Sequence, residues 1–181
     1  MRESRIQYLE KRKNQRVSDG EYAPVGKEEI AKILDLHPLL NCLGYDTSRI
    51  TSDNGMVSDL STRREELINQ HDVVNACALW IKKHLESSGK LNADAYSEDL
   101  GHITEREIGT MPHGVFIVAA IACGYRHRPG MEGPYYAKLN GAIFNISRKS
   151  IDLAKQRVGN LDKSQTPYPD KALFDFEKTF R

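Results

Sequence analysis

The sequence has few of the features that identify common enzyme and membrane protein classes. Its three cysteines, Cys42, Cys77 and Cys123, include no CxxC pair, which excludes a zinc ribbon and a thioredoxin motif. The longest apolar run, residues 115–123, is about half the length that a membrane span needs. Neither G-x-x-x-x-G-K-[ST] nor G-x-G-x-x-G occurs, so nucleotide binding through those loops is not supported.

The chain also has no large excess of positive or negative charge. The chain carries 26 lysines and arginines against 25 acidic residues, a net charge of +1. This balance excludes a basic or acidic surface over the whole protein but allows a local patch. The basic N-terminus has no apolar segment, so no signal peptide is expected. Each cysteine lies in an apolar stretch and is read as a reduced thiol. We therefore expect a soluble cytoplasmic protein with no membrane partner.

The spacing of apolar residues predicts a mainly α fold. Residues 1–26 are expected to form a basic N-terminal arm and loop, and residues 27–181 a single globular helical domain. Pro38 is expected to begin a short helix that ends near Gly44. Further helices are predicted at residues 27–36, 62–88, 94–108, 115–123 and 151–158, and around Leu173, Phe176 and Phe180 near the C-terminus. For residues 115–123, which are rich in valine and isoleucine, a strand is the alternative.

One β-hairpin is predicted over Tyr135 to Ile146. Two short runs rich in aromatic and β-branched residues flank Asn140-Gly141, a dipeptide typical of a type I′ turn. With the two helices before it, this hairpin gives residues 94–146 the order of a winged helix. The run VFIVAAIAC offers no polar side chain to a DNA groove, so any contact with DNA must come from elsewhere.

Basic residues near the hairpin and in the N-terminal arm are the candidates for such a contact. Arginine and lysine side chains that share one face can bind the phosphates of a nucleic acid or an acidic partner protein. The candidate binding residues are Arg12, Lys13, Arg16, Arg126, His127, Arg128, Lys138, Arg148 and Lys149.

An alternative function is a small enzyme or a metal-binding protein that uses His102, Glu105 and His113. A metal site needs about three converging ligands, and His102 and Glu105 share one side of a helix. The patterns HEXXH and HxH are missing. No catalytic residue, metal ligand or cofactor is therefore assigned from the sequence, and an enzyme is the less favoured class.

About residues 73–147 resemble uncharacterised small proteins of phages and other mobile elements. Those proteins share a Trp-bearing helix, then SYxLKHxxE, NGxFIxAAxxG(Y/F) and an FN strand. The order Tyr96-Ser97 inverts that pattern, Gly101 replaces its Lys, and His113 replaces its Asn. The resemblance implies a shared core and a mobile-element origin, and no activity comes with it. The matching residues are Trp80, Tyr96, Leu100, His102, Glu105, Gly114, Phe116, Ile117, Ala119, Ala120, Gly124, Tyr125, Phe144 and Asn145.

The function predicted from the sequence is non-catalytic binding, through contact with nucleic acid or a host protein in a phage or mobile-element setting. A structural homo-oligomer is a further alternative. Its interface would be the C-terminal helix, where Leu173, Phe174, Phe176 and Phe180 offer a large apolar surface for a terminal element.

Overall fold

A computed structural model describes residues 24–45, 57–129 and 141–159, with side chains from residue 60 onward in the second range. These ranges contain six helices and one two-stranded antiparallel sheet, which confirms the mainly α fold with one small hairpin. Most of the predicted arm and the C-terminal helix lie outside them. The elements are α1 (Lys27–Leu36), α2 (Val57–Asn69), α3 (His71–His84), α4 (Ser97–Ile108), α5 (His113–Ala122), β1 (His127–Pro129), β2 (Ala142–Phe144) and α6 (Arg148–Gly159).

Helix α5 lies at the centre of the core. Its nine residues from Gly114 to Ala122 are all buried, and α1, α3 and α4 pack around it. A helix that is apolar on every side is stable in water only when it is covered on every side. Phe116 of α5 also meets Phe144 of β2 edge to face, with ring centroids 6.0 Å apart. The sheet therefore supplies another part of the cover.

The single long helix predicted from Thr62 to Ser88 is wrong, because the chain forms two helices that meet at Gln70. The Gln70 N–H is shared between the carbonyls of Glu66 and Leu67 at 3.2 and 3.3 Å, and the residue leaves the helical conformation with ψ 25°. Helix α2 packs on α1, whereas α3 packs on α5. The break lets the two halves reach different partners.

The second predicted strand is confirmed as β2, and within the described residues it pairs with β1. Arg128 lies opposite Ile143 in the antiparallel pair. The other side of β2 is also occupied, because a bridge joins Ile143 to Tyr96 and the Phe144 N–H donates to the Ala95 carbonyl at 3.0 Å. Residues 135–140, which hold the predicted first strand and Asn140 of the predicted turn, lie outside the described part of the chain.

The helix predicted after Pro38 is wrong, because residues 38–45 form turns. Asn41 and Gly44 exchange two backbone hydrogen bonds of 2.9 Å, and Gly44 has a φ of 85°. The Asn41 side-chain oxygen accepts the Leu43 N–H at 2.9 Å. Local bonds from an asparagine side chain compete with the bonds of a helix, and here the local bonds are the ones that form.

In the ranges that the structure describes, no helix is both long enough and apolar enough to cross a bilayer. The longest of them, α3, has 14 residues and ends in Lys82, Lys83 and His84.

Replacement of Gly114 is expected to disrupt the packing of α5. A Cβ atom at this position would lie 2.0 Å from the Asn41 carbonyl oxygen, and neither backbone can move without breaking the turn. We expect Gly114→Ala to lower the free energy of unfolding by about 3 kcal/mol or more, as overpacking against backbone does. Urea denaturation followed by circular dichroism measures the change.

The matched control is Gly101→Ala in α4. A Cβ atom there would meet only the Phe116 Cβ, at 3.9 Å, which is ordinary contact, and alanine favours a helix by about 0.5–1 kcal/mol. This variant is expected to be as stable as the natural chain or more stable. Equal stability of the two variants would contradict the close approach at Gly114.

Candidate functional site

The side chains of Arg126, His127 and Arg128 lie alternately on the two faces of β1 and of the residue before it. Side chains alternate along a strand, and the alternation here sends Arg126 and Arg128 to solvent while His127 is half-buried. The His127 ring packs against Phe144, with centroids 5.8 Å apart. His127 is therefore separated from the exposed arginines with which the sequence grouped it.

Asn145 fixes the position of Arg126. Its side-chain oxygen accepts the Arg126 N–H at 2.6 Å, and its side-chain amide donates to the Ser88 carbonyl at 2.9 Å. The Arg126 guanidinium donates to the Gly89 carbonyl. Asn145 is buried, so its hydrogen bonds hold the start of β1 to the chain segment that follows α3.

Arg148 contacts the same chain segment as Arg126. The Arg148 guanidinium is 3.5 Å from the Asp94 carboxylate, five residues after Gly89. Five residues of extended chain span at most about 18 Å. The contact points of the two arginines are therefore close enough to meet a single partner molecule.

Arg148 and Lys149 begin helix α6. Ser147 caps this helix, because its hydroxyl accepts the Ser150 N–H at 3.1 Å. The first turn carries no acidic residue, and both basic side chains are exposed. We call Arg126, Arg128, Arg148 and Lys149 the basic surface. The other four basic candidates, Arg12, Lys13, Arg16 and Lys138, lie outside the described residues.

The winged-helix order is present in the sequence of elements, since α4 and α5 precede the paired strands β1 and β2. Helix α5 occupies the place of the recognition helix in that order. Its burial on all sides prevents it from entering a groove of DNA. Within the described ranges, contact through the sheet and the start of α6 is the geometry that remains.

The residues of the alternative site do not converge on one point. His102 is exposed, whereas Glu105 is buried and accepts the Met111 N–H at 3.0 Å. The His113 ring nitrogen Nε2 lies 2.8 Å from the Ser97 hydroxyl. Among the described residues, no group of three or more His, Cys, Asp and Glu side chains could hold a metal ion.

The Ser97–His113 pair instead links β2 to helices α4 and α5 through hydrogen bonds. Ser97 is completely buried, and its hydroxyl oxygen accepts the Ala142 N–H at 2.9 Å. Burial lowers the pKa of His113, while the charge of Glu98 raises it by less. A neutral His113 can accept the Ser97 O–H. Although serine beside histidine is the start of a catalytic dyad, a serine without solvent access cannot attack a substrate.

A second polar cluster joins His37, Tyr45 and His127. The Tyr45 hydroxyl lies 3.2 Å from His37 Nδ1 and 3.2 Å from His127 Nε2, and the two imidazole centroids are 4.7 Å apart. His37 and Tyr45 are each 8% exposed. The hydroxyl can donate its proton to only one imidazole. The other imidazole therefore donates an N–H to the phenol oxygen when all three groups are neutral.

Sequence reasoning missed this second cluster. His37 follows α1, Tyr45 ends the turns after it, and His127 lies in β1, 82 residues after Tyr45. No spacing rule connects residues that far apart. The only signal in the sequence is the alternation of Arg126, His127 and Arg128, which sends the middle side chain to the opposite face.

Loss of the Asn145 side chain is expected to destabilise the fold. Asn145→Ala leaves the Arg126 N–H and the Ser88 carbonyl without their partners, at a cost of about 3 kcal/mol in the free energy of unfolding. Asn69→Ala is the control, because the exposed Asn69 contacts the Lys27 ammonium at 3.1 Å and its loss should cost less than about 0.5 kcal/mol. Chemical denaturation compares the two, and similar losses would contradict the role of Asn145.

Acid is expected to destabilise the fold through His113. Its pKa in the folded protein lies below the ordinary value of 6.5, so the unfolded chain takes up a proton first as the pH falls. Stability is therefore lost below about pH 6.5 until the pH passes the folded-state pKa. Urea denaturation at about pH 7.5 and about pH 5.5 should show a smaller loss for His113→Gln than for the natural chain.

His71→Gln is the control for this measurement, since His71 begins α3 and is not among the charged groups that act on the His113 ring. Its stability should follow the pH dependence of the natural chain. If His113→Gln lost as much stability on acidification as the natural chain does, burial of a neutral His113 would be the wrong explanation.

The chain matches no known protein family, no curated protein and no solved structure. No relative therefore transfers a function to it, and the function has to be inferred from its own residues. The resemblance of about residues 73–147 to mobile-element proteins stays a prediction.

Proposed function

We propose that this protein binds nucleic acid without catalysis, by contacting phosphates through the basic surface of Arg126, Arg128, Arg148 and Lys149. The proposal includes the phage or mobile-element setting that the sequence resemblance implies. It also includes a reducing, cytoplasmic location, which the free thiols of Cys42, Cys77 and Cys123 favour.

The observation that carries this proposal is the pair of cations at the start of α6. A helix N-terminus already holds a partial positive charge, so basic side chains there cost stability, about 0.3–1 kcal/mol each. Arg148 is 77% exposed, and the Asp94 carboxylate that it contacts is also half-exposed. Such a weak surface ion pair offsets little of the cost. A bound phosphate would be stabilised by both the cations and the helix terminus.

The sheet adds to the same proposal. Arg128, Ile143 and Tyr96 occupy directly opposite positions on three neighbouring segments, so their side chains share one face. Ile143 and Tyr96 are half-buried. An arginine and an aromatic ring on one face are a combination that proteins use to bind nucleic acid strands, through phosphate contact and base stacking.

Binding of a fluorescently labelled random DNA duplex is the first test. Anisotropy should rise on addition of the full chain at about 50 mM salt and fall steeply by about 200 mM, because phosphate contacts release counterions. The variant Arg126→Ala/Arg148→Ala should bind more weakly. The slope of its log K against log salt concentration should be less negative by about one for each phosphate that is no longer neutralised.

The charge-matched control is Lys27→Ala/Lys32→Ala. Both lysines are exposed on α1, which packs mainly on α2 and α5. This variant should keep the affinity and the salt dependence of the natural chain. Equal weakening of both variants would indicate attraction without a defined surface, and no binding at low salt would favour a protein partner instead. Either result would contradict the proposal.

A further inference from the structure

We propose that His37, Tyr45 and His127 form a binding site for a divalent transition-metal ion of the Zn²⁺ class. The ligands are His37 Nδ1, the Tyr45 phenolate oxygen and His127 Nε2, and a water molecule completes the tetrahedron. The site is separate from the basic surface, because His127 points to the opposite face of β1 from Arg126 and Arg128. It does not depend on the proposed binding of nucleic acid.

The two distances from the phenol oxygen to the imidazole nitrogens carry the inference. Ligand atoms placed about 2.0–2.1 Å from a tetrahedral ion lie about 3.3 Å from one another. The phenol oxygen lies 3.2 Å from each of the two imidazole nitrogens. Both distances lie within the range of a hydrogen bond and also match the edge of a ligand tetrahedron, so the phenol oxygen is spaced from each imidazole nitrogen as one ligand is from another.

The surroundings favour an ion at this point. His37 and Tyr45 are buried, and the His127 ring lies against the fully buried Phe144. Imidazole ligands select zinc, copper and nickel over magnesium and calcium, which take oxygen ligands.

Binding requires one proton to leave the site. The metal ion bonds to the phenol oxygen as the O–H bond breaks, and the proton passes to solvent. Both imidazoles bind as neutral ligands through their lone pairs, with their protons on His37 Nε2 and His127 Nδ1. The affinity should therefore increase with pH in the range where the histidines and the phenol would otherwise be protonated.

The test is a titration of the metal-free full chain with Zn²⁺, followed by calorimetry and by ultraviolet difference absorption. We expect one strong site with a Kd below about 10 µM and the difference band of a tyrosinate. His37→Gln and His127→Gln should each weaken binding at least about tenfold, since each removes a ligand. Tyr45→Phe keeps the ring packing, and it should weaken binding and abolish the tyrosinate band.

His102→Gln is the control, because it removes an exposed histidine from α4, outside the cluster. This variant should bind Zn²⁺ as the natural chain does, and circular dichroism should show that every variant is folded. Three results would each overturn the proposal. The first is no heat of binding with Zn²⁺. The second is binding that His37→Gln and His127→Gln leave unchanged. The third is binding that produces no tyrosinate band and that Tyr45→Phe does not alter.

Discussion

The burial of α5 on every side is the constraint that orders the rest of the molecule. A ten-residue helix with no polar face needs cover from several directions, and no single neighbour can supply it. Helices α1, α3 and α4 each cover one side, and Phe144 brings the sheet against Phe116. The break at Gln70 follows from the same need, because one straight helix could not lie along α5 and also reach α1.

The two-stranded sheet depends on buried side chains as much as on its own ladder. Strands of three residues make too few backbone bonds to be stable alone. Ser97 therefore binds the start of β2, Asn145 binds the residue before β1, and Asn92 donates to the Ile146 carbonyl at 3.0 Å. These side chains tie residues 86–97 to residues 142–147. The basic residues face outward because the inward positions are already taken by this network.

Much of the helical content can be predicted from the sequence, and the placement of polar groups cannot. The helices at residues 27–36 and 97–108 agree with the prediction to within three residues, because apolar spacing and capping are local. The break at Gln70 escapes prediction since it serves contacts with distant elements. The pair Asn140-Gly141 predicts a tight hairpin and therefore a first strand at residues 135–139. Whether an edge of β2 is available to pair with another strand, however, depends on the bridge that Tyr96 makes to it. The cluster of His37, Tyr45 and His127 exists only through the fold.

The central position of β2 also has a consequence for synthesis on the ribosome. Residues 86–96 and β1 leave the ribosome before residues 142–147, which lie between them in the finished protein. Until those last residues arrive, both flanking segments expose unpaired backbone groups, and one face of Phe116 lacks its cover. Exposed strand edges and apolar surface promote association between chains. A chain stalled or truncated before Ala142 would therefore be a target for chaperones and proteases, although it already contains every residue of α1 to α5.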